Sequence, residues 1–246
     1  MPNNPLTGAG YLLRGLRLLT KPGIRPFVLI PLLVNIVVFS LLIWLGIDQF
    51  EQLINRFLPD DESWLAWLRW LLWPLFAIAL VLVVFYTFTV IANLIAAPFN
   101  GLLAEKIESY LGGEPPTQPG GAKQLMKELL PSLYSELRKL FYFLLRAIPL
   151  LILFFIPVLN TIAPFLWLLF SAWYLALEYG DYPMANHSLP FKEQHRRLKQ
   201  ARLASLAFGG SLTAMMMVPV LNFVAMPAAV AGATLFWREQ LQGMRN

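Results

Sequence analysis

The segments IPVLN at 156–160 and VPVLN at 218–222 interrupt two long apolar runs near their centres. Proline ends or kinks a helix because it lacks a backbone N–H and clashes with the preceding turn. Each run, 141–177 and 203–237, is therefore divided into two arms of about 15 to 17 residues, or roughly 24 Å of helix. That length is short for a membrane-spanning helix but suits one half of a helical hairpin.

Neither PVLN turn carries a charge, which favours hairpins that enter the bilayer and return on the same side. The backbone groups freed at such a turn must be satisfied by protein or by a water-lined cavity, because lipid offers no partner. Asparagine side chains can make local hydrogen bonds at a turn. We therefore expect re-entrant hairpins at 141–177 and 203–237. The alternative is a six-helix bundle of short spans with ordinary turns.

The composition indicates an integral membrane protein. Of 246 residues, 58% are hydrophobic and 13% are charged, whereas a soluble domain carries about 25% charged residues. Residues 27–47 and 70–97 contain no charge and exceed the roughly 20 residues that a transmembrane helix needs. The expected fold is an all-α membrane protein with two long transmembrane helices, two partly inserted hairpins and amphipathic cytoplasmic helices.

Charge predicts the orientation of these segments. Residues 1–26 contain four bases and no acid, whereas 48–62 contain five acids and one base. The positive-inside rule places the first segment in the cytoplasm and the second outside. Insertion in both orientations is the alternative, because acids and bases nearly balance in 99–140. In chain order, the single membrane domain is divided into a basic amphipathic helix (1–26), a transmembrane helix (27–47), an acidic outer loop (48–63), a long transmembrane helix with cytoplasmic helices (64–140), the first hairpin, a connecting segment (178–202), the second hairpin and a tail (238–246).

Catalytic signatures are missing from the sequence. There is no GxSxG, P-loop or HExxH motif and no cysteine, so we expect no enzyme, no ATP hydrolysis by this chain and no cofactor. Glu178, Asp181 and His187 lie close together in LEYGDYPMANH, but not at a metal-ligand spacing. We interpret this stretch as a hydrogen-bonded turn that orients helices at the membrane surface, and we expect no metal site and no nucleic-acid partner.

The N-terminal helix carries Arg14, Arg17 and Lys21 on one face. One interpretation is an interfacial helix whose bases meet anionic lipid headgroups. The other is an anion site, in which Gly15 lets a ligand approach, the amides of Leu16 and Arg17 donate hydrogen bonds, and a guanidinium grips a tetrahedral oxyanion.

Polar residues in or beside the apolar runs are candidates for a transport path or for contacts between helices. An anion pore prefers neutral donors with arginines at its entrance. Glu105 suits such a pore only with a basic partner, for which Arg146 and Arg138 are candidates. The pore-lining candidates are Asn35, Asn93, Asn100 and Glu105.

Several longer blocks resemble the CysZ family of bacterial sulfate permeases. They are RGLRLLTKPGIRPFVLIPLLVN, ANLIAAPFNGLLAEKIE, IPVLNTIAPFLWLLFSAWYLALEYGDYPMANH and PFKEQHRRL. Together they cover most of residues 10–237.

The resemblance implies a multi-pass protein of the bacterial inner membrane. Such a protein admits sulfate for cysteine biosynthesis through a channel-like path without a nucleotide. It also implies the two long helices and two inserted hairpins, and homo-oligomers with antiparallel packing of protomers. The sulfate site it implies is Gly15, Leu16 and Arg17. Where some members continue with a second arginine, this chain has Leu18, and Arg14 precedes the glycine. Either Arg14 supplies the second guanidinium or the site is weaker.

Two other functions remain open from the residues. One is a membrane scaffold or lipid-binding protein, in which the basic helix binds headgroups and the hairpins wedge into one leaflet. The other is an ion-coupled secondary anion transporter, since broken helices suit such folds. The hairpins repeat in parallel, however, and no inverted repeat is visible.

Overall fold

The computed structural model describes residues 3–57, 66–113 and 122–244, and within them every regular element is helical. This confirms the all-α prediction for the described part of the chain. The side chains of residues 83–98 and 122–137 lie outside that part. The helices are α1 (Pro5–Leu18), α2 (Pro26–Phe57), α3 (Ala66–Tyr110), α4 (Ala122–Leu153), α5 (Ala163–Asn186), α6 (Phe191–Gln200), α7 (Arg202–Met216) and α8 (Pro219–Phe236). A 3₁₀ turn, Leu159–Thr161, precedes α5, and a π-helical turn, Trp237–Leu241, follows α8.

The chain forms two compact units, of which the first is Pro26–Phe99. Among the described residues, one helical segment, Pro26–Gln52, is long and apolar enough to cross a membrane, and Trp70–Leu82 is a shorter apolar stretch. The first segment contains the transmembrane helix predicted at 27–47. The prediction of a second transmembrane helix at 70–97 remains a prediction, because the side chains that complete it lie outside the described residues.

The end of α2 differs from the predicted acidic loop at 48–63. The helix continues to Phe57, so residues 48–57 are helical, and 58–63 lie outside the described residues. Aromatic packing accounts for this extension. The ring of Phe50 stacks on Phe76 with centroids 3.7 Å apart, and Trp73 meets it edge-on at 5.0 Å. Because α2 continues past Asp48, Phe50 lies on the helix and contacts α3.

The second unit, Met1–Arg25 with Asn100–Asn246, is built around the second half of α8. Residues 228–237 are buried without interruption, and α1, α5 and α7 all pack against this helix. Its small side chains allow those neighbours to approach closely, as does the glycine-containing face of α7. A Cβ on Gly209 of α7 would lie 1.7 Å from the carbonyl oxygen of Ala172 on α5. Contacts this short require glycine.

Both PVLN segments interrupt helices, as predicted. In the first, Val158 has a left-handed φ of 72°, an unusual conformation for a β-branched residue. In the second, Pro219 is the first residue of α8, where its missing N–H needs no partner. The Thr161 hydroxyl donates to the Val158 carbonyl at 2.7 Å, whereas the predicted side-chain bond of Asn160 is not found among the described residues.

The hairpin tips expose large apolar side chains. Phe155 is 87% exposed, Val158 78% and Val220 77%. Exposed apolar side chains clustered in this way need lipid or a protein partner to cover them. Their exposure is compatible with insertion into a bilayer, which remains a prediction for both hairpins.

Replacing Gly209 with alanine should destabilise the second unit, because the new methyl group would collide with the α5 backbone. Overpacking of this kind costs about 1 to 3 kcal/mol. Gly210→Ala is the matched control, since its Cβ would meet only the Ala172 side chain at 3.9 Å. Thermal unfolding in detergent should show a lower midpoint for Gly209→Ala alone. Equal midpoints for the two variants would contradict the close packing.

Candidate functional site

The predicted anion motif lies on α1, whose two faces have different surroundings. Tyr11, Leu12 and Gly15 are buried. A Cβ on Gly15 would lie 2.4 Å from the backbone nitrogen of Gly232 on α8. The absence of a side chain at Gly15 therefore allows close packing of α1 on α8.

The other two residues of the motif differ in exposure. Leu16 is half-buried and Arg17 is exposed. Both are interior residues of α1, where backbone amides donate to carbonyl groups one turn earlier. The guanidinium of Arg17 is therefore the group of this motif that is free to meet an anion.

Arg17 belongs to a group of exposed bases, which we call the basic cluster: Arg17, Lys21, Arg25 and Lys106. The turn after α1 brings them together. Thr20 Oγ1 donates to the Arg17 carbonyl at 2.8 Å, and Arg25 Nε donates to the Thr20 carbonyl at 2.7 Å. Lys106 lies beside the same turn, with its Cε 3.9 Å from the position of a Cβ on Gly23. Within the described part of the chain, none of the four forms an ion pair.

Arg14 has a carboxylate partner. Its guanidinium donates two hydrogen bonds to the Glu239 carboxylate. Nη1 donates to Oε2 at a distance of 2.8 Å, and Nη2 donates to Oε1. These bonds lower the pKa of Glu239 and raise that of Arg14. Burial, aided by the nearby Glu239 carboxylate, raises the pKa of Tyr11 to about 12. At neutral pH Arg14 is therefore neutralised by Glu239, and Arg17 is the unpaired arginine on α1.

The pore-lining candidates have separate surroundings. The side chains of Asn35 and Asn93 lie outside the described residues. Asn100 is buried, and its amide donates to the Tyr182 hydroxyl at 3.2 Å. Burial, with the neighbouring Glu108 carboxylate, raises the pKa of Glu105.

The two basic partners considered for Glu105 lie against aromatic rings. The Arg146 guanidinium sits 3.7 Å from the centroid of the Tyr142 ring, and that of Arg138 sits 5.3 Å from Phe191. These distances are typical of cation–π contacts. The structure thus gives both arginines an aromatic contact that the sequence did not reveal.

The EYGDYPMANH stretch forms the C-terminal part of α5 and makes hydrogen bonds to the end of α3. Three contacts follow one another along the two helices, beginning with Asn100 and Tyr182. The Asn186 amide donates to the Gly101 carbonyl at 3.0 Å, and His187 Nε2 lies 3.0 Å from Glu108 Oε2. The predicted turn is wrong here, because residues 178–186 belong to α5, where Pro183 is accommodated inside the helix. The contacts do hold α5 against α3. Within the described ranges no three potential ligands converge as a metal site would require.

A buried ion pair was not evident from the sequence. Lys139 of α4 lies 2.7 Å from Asp181 of α5, and Gln194 of α6 donates to the same carboxylate at 2.6 Å. Lys139 and Gln194 are almost fully buried. The three side chains hold the base of the first hairpin to α6. Lys139 stands among several charged residues in SELRKL, and composition alone does not show which of them is buried.

Comparison with known proteins identifies the family. The profile of the family described as "Sulfate transporter CysZ/Etoposide-induced protein 2.4" matches residues 11–227. The chain belongs to the CysZ family. A protein named "Sulfate transporter CysZ" from Pseudomonas fluorescens strain SBW25 is 52% identical over 98% of this chain and 94% of the relative. Proteins of the same name are 48% identical in Pseudomonas syringae pv. tomato (96% of this chain, 94% of the relative) and 46% in Salmonella typhimurium (95% and 92%).

The match confirms the resemblance found in the sequence. As a member of the CysZ transporter family, the chain is a membrane protein. The matched region contains α1 from Tyr11, all of the first unit and both PVLN turns, and it stops at Pro227 within α8.

Removing His187 from this CysZ family member should destabilise it, because the Glu108 carboxylate is 1% exposed and would lose its hydrogen bond to His187. Leaving a buried acceptor without its hydrogen bond costs about 1 to 3 kcal/mol. The double variant Glu108→Gln/His187→Ala should recover part of the loss, since an amide is less costly to bury than a carboxylate. Thermal unfolding of the two variants tests this. A double variant no more stable than His187→Ala would contradict it.

Proposed function

We propose that the chain carries sulfate into the bacterial cytoplasm across the inner membrane, through a channel-like path that uses no ATP and supplies sulfur for cysteine biosynthesis. The near full-length similarity to proteins named sulfate transporters supports the substrate. The single structural observation that carries the proposal is the exposed guanidinium of Arg17, which has no ion-pair partner in the described residues.

The basic cluster is the proposed capture site. Sulfate carries two negative charges and four acceptor oxygens, so a planar guanidinium can bind it with two parallel N–H groups. Lys21, Arg25 and Lys106 add positive potential around Arg17, which raises the local anion concentration. The backbone amide of Gly15 is engaged within α1, and the lack of a side chain at Gly15 allows α1 to pack on α8. Sulfate would therefore be bound by side chains.

Beyond the cluster, the path is proposed to be formed by the long helices and hairpins of several protomers in a homo-oligomer, with antiparallel protomers as one arrangement. Asn35 and Asn93 would replace part of the hydration shell of sulfate, as neutral donors do in anion pores. Asn100 and Glu105 are weaker candidates, since Asn100 bonds to Tyr182. Flow would run down the sulfate gradient that cytoplasmic consumption maintains.

Arg17→Ala should reduce labelled sulfate uptake into proteoliposomes about 10- to 100-fold, because it removes a charge-assisted contact. The assay contains no ATP and no ion gradient. Lys192→Ala removes an exposed base on α6 and should transport like the wild type. Arg17→Lys, which keeps the charge but loses the planar fork, should fall between them.

The same assay separates the alternatives. A folded wild-type protein that takes up no sulfate would overturn transport and favour a scaffold or lipid-binding role. Uptake that follows an imposed proton or sodium gradient would favour an ion-coupled transporter. Equal uptake by Arg17→Ala and the wild type would remove the capture site from α1.

Glu239→Gln should strengthen sulfate binding about two- to fivefold, because it frees Arg14 one turn from Arg17. The hydrogen bonds from Arg14 lower the pKa of Glu239, so the pair is intact at neutral pH and is lost only as the pH falls through that lowered pKa. Wild-type affinity should therefore rise on strong acidification, and that of the variant should not. Glu193→Gln, which affects ion pairs on α6, is the control. Isothermal titration gives both affinities, and unchanged binding by Glu239→Gln would exclude Arg14 from the site.

A further inference from the structure

We propose that a groove between α4, α5, α6 and α7 binds one anionic phospholipid, with its phosphate at a cationic end and an acyl chain along an apolar wall. We call this cavity of about 470 Å³ the lipid groove. Its bases are Arg146, Lys199 and Arg202, and among the described residues that line it none is acidic. The inference rests on the chain being a membrane protein and does not depend on the sulfate path.

The cationic end contains three bases. Within the described part of the chain, Arg146, Lys199 and Arg202 form no ion pair. The acid nearest in sequence, Glu193, is paired with Arg196 and Arg197, each at 2.7 Å. Three unpaired bases around one cavity favour an anion with several acceptor oxygens.

Aromatic contacts hold the arginine in position. The Arg146 guanidinium lies over the Tyr142 ring and donates to the Tyr142 carbonyl at 3.3 Å. Trp173 Nε1 in turn donates to the Tyr142 hydroxyl at 2.9 Å. Little side-chain freedom remains for Arg146 to lose on binding, which favours affinity. Tyrosine and tryptophan also concentrate at the level of lipid headgroups.

His195 offers a neutral polar group at the same end. Its ring lies 5.4 Å from Trp173 and 5.5 Å from Tyr142, and its Nδ1 is buried with no hydrogen-bond partner in the described residues. Burial, with Arg146 and Lys199 nearby, lowers its pKa. As a neutral ring among these aromatic groups, His195 shapes the cationic end without adding to its charge.

The apolar wall distinguishes a lipid from a free anion. The rest of the lining is mostly apolar and includes Leu150, Leu166, Leu169, Phe170 and Leu206. Leu169 is 51% exposed, and beyond it the hairpin surface continues with exposed apolar side chains towards its tip. A sulfate or phosphate ion would use only the cationic end, whereas a phospholipid matches both. Basic pockets between membrane helices are typical sites for anionic headgroups.

The test is lipid retention by the full-length protein in detergent, measured by native mass spectrometry. The probes are phosphatidylglycerol and phosphatidylcholine with identical acyl chains. We expect the wild type to retain one phosphatidylglycerol and to prefer it over phosphatidylcholine. The double variant Lys199→Gln/Arg202→Gln should bind phosphatidylglycerol roughly 30-fold more weakly, since each base near a headgroup contributes about a factor of five. Arg146→Gln should weaken it about fivefold.

A crossed control separates this site from the basic cluster. Lys21→Gln/Lys106→Gln removes the same charge from the other group of bases and should leave lipid retention unchanged while weakening sulfate binding. Equal losses of lipid in the two double variants would show that net charge alone matters and would overturn the site. So would equal retention of the two lipids, or displacement of phosphatidylglycerol by millimolar inorganic phosphate alone. Normal lipid binding without sulfate uptake would overturn the proposed function and leave this site intact.

Discussion

The close approach of helix backbones in the second unit is the constraint on which the other features depend. Glycine at a contact between helices lets the two backbones approach closely, because no side chain stands between them. Here α7 meets α5 at Gly209, and α1 meets α8 at Gly15 and Gly232. These contacts fix the rotation of α1 about its own axis, so that Gly15 faces α8 and Arg17 faces outward from the unit. The position of the basic cluster follows from the packing of glycines.

Several features could be predicted from the sequence because their causes are local. Proline interrupts the helix in its immediate neighbourhood, so the sequence predicts the two breaks at the PVLN segments, where the structure has them. The end of α2 could not be predicted in this way. Asp48 and Glu51 suggested a loop, whereas the helix continues because Phe50 packs on Phe76, a residue distant in sequence.

The candidate site was predictable in part. The positive charge at helical spacing is visible in the sequence, and the structure leaves Arg17 exposed on α1. Anion binding by Arg17 stays a prediction. The sequence cannot distinguish a glycine that admits a ligand from one that admits a neighbouring helix, and Gly15 packs against α8. It also gave no sign that Arg14 would meet Glu239 at the far end of the chain. That pairing depends on the tertiary fold.

Charged groups in this protein divide according to burial. Buried ones, such as Lys139 with Asp181 and Glu108 with His187, have partners across helix boundaries, because a lone charge away from water is costly. Exposed bases are hydrated and can remain unpaired. Among the described residues, two groups of such bases stand out: one at the turn after α1 and one at the rim of the lipid groove. At the turn after α1 the bases surround a short turn. At the lipid groove the bases lie beside an apolar wall. That difference in surroundings underlies the assignment of a small anion to one and a lipid to the other.

The packing of α1 on α8 also bears on how the protein is made. A ribosome releases the chain from the N-terminus, so Tyr11 and Gly15 emerge long before Phe236 and Gly232, their neighbours in the fold. Contacts between such distant parts of a chain form late in folding. Until α8 is synthesised, α1 lacks the helix on which it packs, and the orientation of its arginines is not fixed. An incomplete chain at the translocon would therefore lack an assembled basic cluster.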